Sequence, residues 1–221
     1  MERPPYISYS TFESLAVQTR QELNTWSKSQ SIAIPPIDYL EFLVEEKDLA
    51  GWCFKNLNKH LHTSAWAKQG ADTTTCILGM YDVRENVIWI EESLQEYPAR
   101  LAFTIAHEGE HFTKHRGLFA SELQNYSMFF GQHTFICNRE DIGGKPSGDV
   151  RRKQMEWQAN HGAACLLMPL LEINHDINSG ASVYEIAEKY GVSYQAASIR
   201  IKQIRSAIQQ KTKEEYGIEI W

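Results

Sequence analysis

Residues 103–111 read FTIAHEGEH and close an apolar run that begins at Leu101. Apolar residues at helical spacing, with two histidines four apart, commit the stretch to a helix. Residues i and i+4 then rise from one face, one turn apart. His107 and His111 can offer two imidazole nitrogens to a single ion. Glu108, about 100° round the helix from His107, stands beside them without having to ligate. A metal hydrolase needs this arrangement: two neutral ligands from one rigid element and a carboxylate next to the water. The same spacing suits two histidines packed on an ordinary helix, so the choice turns on a third ligand.

A histidine six residues after His111 would complete one zinc pattern, but that position is Gly117, and the glycine of the pattern is replaced by Lys114. His115 continues the face of His107 and His111. At 1.5 Å rise per residue it lies roughly 12 Å from His107, too far to share an ion on a continuous helix. It is expected to pack or hydrogen-bond near the helix end. Downstream, EWQAN sets Glu156 and Asn160 one turn apart, and Ala163 and Leu167 continue their face. A carboxylate whose stripe runs into an apolar surface needs a partner, which a cation supplies. Asn160 could then hold the free ring nitrogen of a ligating histidine. A glutamate in a first turn, facing water and favoured by the helix dipole, fits the same letters.

The surrounding chain reads as helices around a small sheet. Ser10 to Glu13 has capping-box spacing before an apolar helical stripe, and Pro35-Pro36 ends that helix and starts another. Two β-rich runs, Thr73 to Met80 and Asn86 to Ile90, flank a polar turn and predict an antiparallel hairpin. Alternation in the second run predicts a strand covered on both faces, with Val87 and Trp89 on one and Ile88 and Ile90 on the other. The motif helix spans Arg100 to about Lys114. An irregular stretch ending in NREDIGGKPSGD follows, then a helix capped by Asp149 and closed by Pro169. Near the C-terminus, Ser182 and Glu185 form a second capping box, and Gly191-Val192-Ser193 separates two short helices. Ala187, Gly191 and Ala197 fall at the small positions of a helix-turn-helix, with Ile186, Val192 and Ile201 as its core. From Ser193 to Lys213 the chain carries Arg200, Lys202, Arg205, Lys211 and Lys213 and no acid. Such a helix could meet DNA phosphates through Arg200, Lys202 and Arg205. It could equally be a packed helix whose basic end complements its dipole.

The formal net charge of −6 gives no global sign of a nucleic-acid binder or a polybasic membrane anchor. MERPPYISYS has neither the basic nor the apolar region of a secretory signal, and no apolar stretch approaches the ~18 residues of a membrane span. Four scattered cysteines without a C-x-x-C pair read as reduced thiols. A cytoplasmic protein without a membrane segment is expected.

RLAFTIAHEGEHFTKH, MEWQANHGAACLLMP and the preceding ILGMYDVRENVIWI together resemble the ImmA/IrrE-type metallopeptidases, small gluzincin-like proteins. The likeness extends more loosely through IAEKYGVSYQAASIRI. It implies an α+β, zincin-like fold, mainly helical with a small antiparallel sheet and a helix-turn-helix-like C-terminal appendage. The division implied is a metallopeptidase domain over 1–178 and C-terminal helices over 179–221. By the same resemblance His107, His111 and Glu156 bind Zn2+, and Glu108 acts on the water as general base. The activity implied is zinc-dependent cleavage of a regulatory protein, such as a helix-turn-helix repressor or an antitoxin. Two positions depart from the usual pattern: Glu110 where the family has glycine before the second histidine, and Gly162 where an aromatic is usual. Glycine inside a helix costs about 1 kcal/mol against alanine, which predicts a looser turn or a close approach by another backbone at Gly109 and Gly162. Tyr126, His133 and His161 are candidates, by residue type, for stabilising an oxyanion. The strand before the motif helix is where an extended substrate could pair. The competing reading is a non-hydrolytic protein that binds a repressor or DNA through the same scaffold. Retention of Glu108, which pure binding does not need, argues for the enzyme.

Overall fold

The computed structural model describes residues 4–59, 77–119, 134–138 and 150–216. The first helix, α1 (Tyr9–Ser27), starts just ahead of the expected capping box. Ser8 caps it, accepting from the Thr11 amide at 3.1 Å. The Glu13 carboxylate, expected at that cap, turns inward instead. It accepts from Arg200 at 2.6 Å and from the Leu170 amide at 3.3 Å. Pro36 opens α2 (Pro36–Lys47) in the first-turn position that proline tolerates. Phe12, Ala16 and Leu23 of α1 and Tyr39, Leu40, Phe42 and Leu43 of α2 enter one core.

A four-stranded sheet follows in the order β1-β3-β2-β4, with β1 (Gly51–Lys55), β2 (Ile77–Asp82), β3 (Val87–Glu91) and β4 (Thr134–Asn138). The hairpin β2–β3 is antiparallel, its turn held by Asp82 Oδ1 accepting from the amides of Arg84 and Glu85. β4 pairs antiparallel with β2. The sheet is mixed rather than wholly antiparallel, because β1 runs parallel to β3. A parallel pair needs a long connection, and the chain between Lys55 and Val87 supplies one. Ile88 and Ile90 are fully buried, whereas Val87 and Trp89 are only partly covered, so β3 has one closed face and not two. Lys55 Nζ lies 3.7 Å from the Trp89 ring centroid on the more open face. Both hairpin strands are interior to the sheet. β3 is already paired on both sides, so a substrate cannot add to it as expected from sequence.

The motif helix α3 (Pro98–Glu110) continues into a π-helical turn (His111–His115) and a 3-10 turn (Arg116–Phe119). After β4 come α4 (Val150–Leu167), α5 (Leu170–Asn178), α6 (Val183–Tyr190) and α7 (Tyr194–Tyr216). Pro169 ends α4 and caps α5. Ser182 and Glu185 make both bonds of the expected capping box, and Gly191 (φ 65°) closes α6 in the left-handed conformation that glycine adopts cheaply. Ile186, Ala187, Tyr190, Val192, Ala197, Ile201 and Ile204 join the core that also holds α1, the sheet and α3. The architecture is α+β: mainly helical, with a small mixed sheet. Among the described residues no helix is long and apolar enough to cross a membrane. The expected cap Asp149, the loop residues 139–149 and the candidates Tyr126 and His133 lie outside the described residues.

Candidate metal centre

α3 lies over β2 and against α4, an arrangement that aims the His107–His111 face at the Glu156 side of α4. His107 Nε2 and His111 Nε2 stand 3.1 Å apart. Glu156 Oε2 lies 3.2 Å from His107 Nε2 and 3.5 Å from His111 Nε2. Zinc–ligand bonds of about 2.0–2.1 Å at tetrahedral angles would set neighbouring donors roughly 3.3 Å apart. The triangle formed by these three atoms is therefore one face of such a tetrahedron. All three side chains are buried. His107 Nδ1 contacts Asn160 Oδ1 at 3.1 Å. The amide oxygen only accepts, so Nδ1 carries a proton, and in the neutral ring Nε2 turns its lone pair towards Glu156. Two electron-rich atoms facing each other in a buried space fit a cation between them.

The electrostatics agree. Burial disfavours a charged His107, yet the Glu156 and Glu108 carboxylates outweigh it and raise its pKa. His111 moves the other way: burial takes it to about 4 against the pull of Glu156. Burial alone would raise the Glu156 pKa, but His111 and His107 outweigh it and lower it. Rings this close cannot both be charged. The cluster therefore accommodates one positive charge beside one carboxylate, and a divalent ion meets that demand without a proton.

Glu108 is fully buried and lies over β2. At Gly79 of that strand a Cβ would come within 2.6 Å of Thr104 Cγ2 and 3.1 Å of Glu108 Oε1. Gly79 thus lets the motif helix settle on the sheet and fixes how far Glu108 can drop towards it. It also borders an irregularity in the β2–β4 register. Nothing in ILGMY marks this glycine in advance as more than a weak spot in a strand.

The profile of the IrrE N-terminal-like domain, a peptidase family, matches residues 72–202, more than half the chain. The chain belongs to this family. No curated protein matches it. The family is one of metallopeptidases, and the His107–His111–Glu156 cluster is a group that could hold a metal ion.

Within the IrrE-like frame the two departures from the usual pattern meet each other. A Cβ on Gly162 would stand 2.0 Å from Glu110 Oε2 and 2.4 Å from Glu110 Cδ. The Glu110 side chain occupies the volume that an ordinary residue at 162 would claim. Burial raises the Glu110 pKa, opposed by Lys114, whose Nζ donates to Oε2. Gly109 makes room in turn for Tyr39, whose ring carbon Cε1 would be 2.8 Å from an added Cβ. Both glycines admit side chains rather than the backbone approach expected from sequence.

Other candidates lie elsewhere. His161 packs into the α1–α4 interface, stacked on Trp157 with ring centroids 5.2 Å apart and edge-on to Tyr9 and Phe12. Arg200 is 2% exposed and spends its donors on Glu13 and the Met168 carbonyl. The expectation that it meets DNA phosphate is therefore corrected, since its guanidinium faces the core. Lys202 and Arg205 are exposed on α7. His115, expected to hydrogen-bond near the helix end, has Nδ1 at 2.9 Å from His111 Nδ1 and Nε2 at 2.9 Å from Gln158 Oε1. Neither Gln158 nor Gly79 carries a signal in the sequence that points to the site.

Proposed function

We propose that this chain is a zinc-dependent endopeptidase acting on a regulatory protein, such as a helix-turn-helix repressor or an antitoxin. The observation that carries the reading is the triangle of buried donors, His107 Nε2, His111 Nε2 and Glu156 Oε2, with edges of 3.1–3.5 Å. When bound there, zinc would supply Lewis acidity to a peptide carbonyl and bring the pKa of a water towards about 7. Glu108, one residue along from a ligand, takes the proton of the attacking water and returns it to the leaving amine. Its burial removes competing solvent, which strengthens its interaction with the charge it handles. Asn160 keeps His107 in the tautomer whose Nε2 is free to ligate. The regulatory substrate follows from the family resemblance. Burial of Arg200 weakens the competing DNA-binding reading.

The test is Glu108→Gln. It should bind zinc as the parent does, while cleavage of a co-expressed repressor or antitoxin falls by roughly 10²–10⁴-fold, the usual worth of a general base. Unchanged cleavage or unchanged biological output would exclude the hydrolytic reading.

A further inference from the structure

A directed chain of hydrogen bonds leads away from the metal centre towards the N-terminal segment. Gln158 Nε2 donates to the Pro5 carbonyl at 2.8 Å. A carbonyl only accepts, so this contact settles which end of the Gln158 amide points where. Its oxygen therefore faces His115 Nε2, 2.9 Å away. That oxygen also only accepts, which places the His115 proton on Nε2. With its Nε2 proton engaged by Gln158, the His115 ring turns Nδ1 to His111 as an acceptor. His111 Nδ1, 2.9 Å from it, must supply the proton. His111 then has its lone pair on Nε2, the atom facing His107 and Glu156.

We infer that His115 and Gln158 are positioning residues that fix the tautomer and ring angle of His111, with the Pro5 carbonyl setting the direction of the whole chain. The inference rests on reading His111 as a metal ligand through Nε2. The geometry also gives a reason for the π turn at His111–His115. π turns within helices are often found at functional sites, and here the turn holds the two Nδ1 atoms in contact. His107 and His111 are thus oriented by different partners, although both amides come from α4. Asn160 holds one, and the His115–Gln158 pair holds the other.

Two measurements on the full chain decide this. Long-range proton–nitrogen NMR of the imidazoles in the zinc-free protein should show His111 protonated at Nδ1 and His115 at Nε2. The reverse pattern in either ring, or a doubly protonated His115, overturns the inference. Separately, Gln158→Met, which keeps volume and removes the amide, should weaken zinc binding by about 10–100-fold in chelator competition, the usual cost of losing such a support. The visible spectrum of the cobalt-loaded protein should shift as the site distorts. Affinity within twofold of the parent, with an unchanged cobalt spectrum, also overturns it. If the variant does not fold, the tautomers of the unmodified protein alone decide the matter. If the parent binds no zinc but shows the stated tautomers, the peptidase proposal fails while the hydrogen-bond chain stands.

Discussion

At Gly79 the absence of a side chain lets Thr104 and Glu108 sit close above the sheet. Gly79→Ala should cost about 1–3 kcal/mol of stability in denaturant titration, as overpacking does. Because the new carbon presses on Thr104 first and then on Glu108, and not on the proposed ligands, kcat should fall while zinc affinity holds. Equal loss of both would put the strain elsewhere. The Glu110–Gly162 pair makes a second test, by double-mutant cycle. Gly162→Ala alone should destabilise, since its Cβ collides with the Glu110 carboxyl. In a Glu110→Ala background the same change should be neutral, or stabilising by up to about 1 kcal/mol from helix propensity. A coupling below about 0.5 kcal/mol would mean that the two sites are independent. The proposed ligand side chains stand out in the sequence because holding one ion would impose spacing on the helices that carry them. Gly79, Gly162 and Gln158 are not. A glycine is defined by what approaches it, and Gln158 by a carbonyl 153 positions away.

On the scale of elements, helix starts and stops are the most readable feature. Pro36, Pro169, Ser182 and Gly191 all act locally. The π turn is invisible, since α-helical spacing carries no sign of where the winding widens. Within that turn His115, four residues past His111 on the same face, meets it with the two Nδ1 atoms 2.9 Å apart. The α5–α6 junction illustrates how an element can be pinned by charge. Burial pushes the Asp176 pKa up, but Lys189 and Tyr190, donating to the carboxylate at 2.5 and 2.9 Å, hold it below its ordinary 3.8. A carboxylate with a lowered folded pKa stabilises fully above its unfolded value. That contribution fades as pH falls through the folded one. Urea midpoints measured from pH 5 downwards should therefore drop more steeply below 3.8 in the parent than in Asp176→Asn. Parallel curves would show that the junction does not depend on this charge.

Taken as a whole, the molecule carries its proposed ion at the contact between α3 and α4, within the core shared by nearly every other element. Removing that ion should therefore loosen the entire fold. A ligand held at about 1,000 times its Kd adds roughly 4 kcal/mol to the folded state. Chelation should lower Tm by several degrees, and zinc should restore it. A Tm indifferent to chelator would argue against a resident metal. The fold class is readable because caps, prolines and apolar stripes are local signals. The parallel partnership of β1 with β3 is not, because no short stretch of letters encodes a pairing across a long connection. The contact between Arg200 and Glu13 has one more consequence, and it is genetic. A nonsense or frameshift allele that removes α7 would spare all the proposed ligands. It would nevertheless take from Glu13 its ion-pair partner and uncover the Met168 carbonyl just beyond the helix bearing Glu156. Such late-truncation alleles should behave as losses of the whole protein rather than as deletions of an accessory tail.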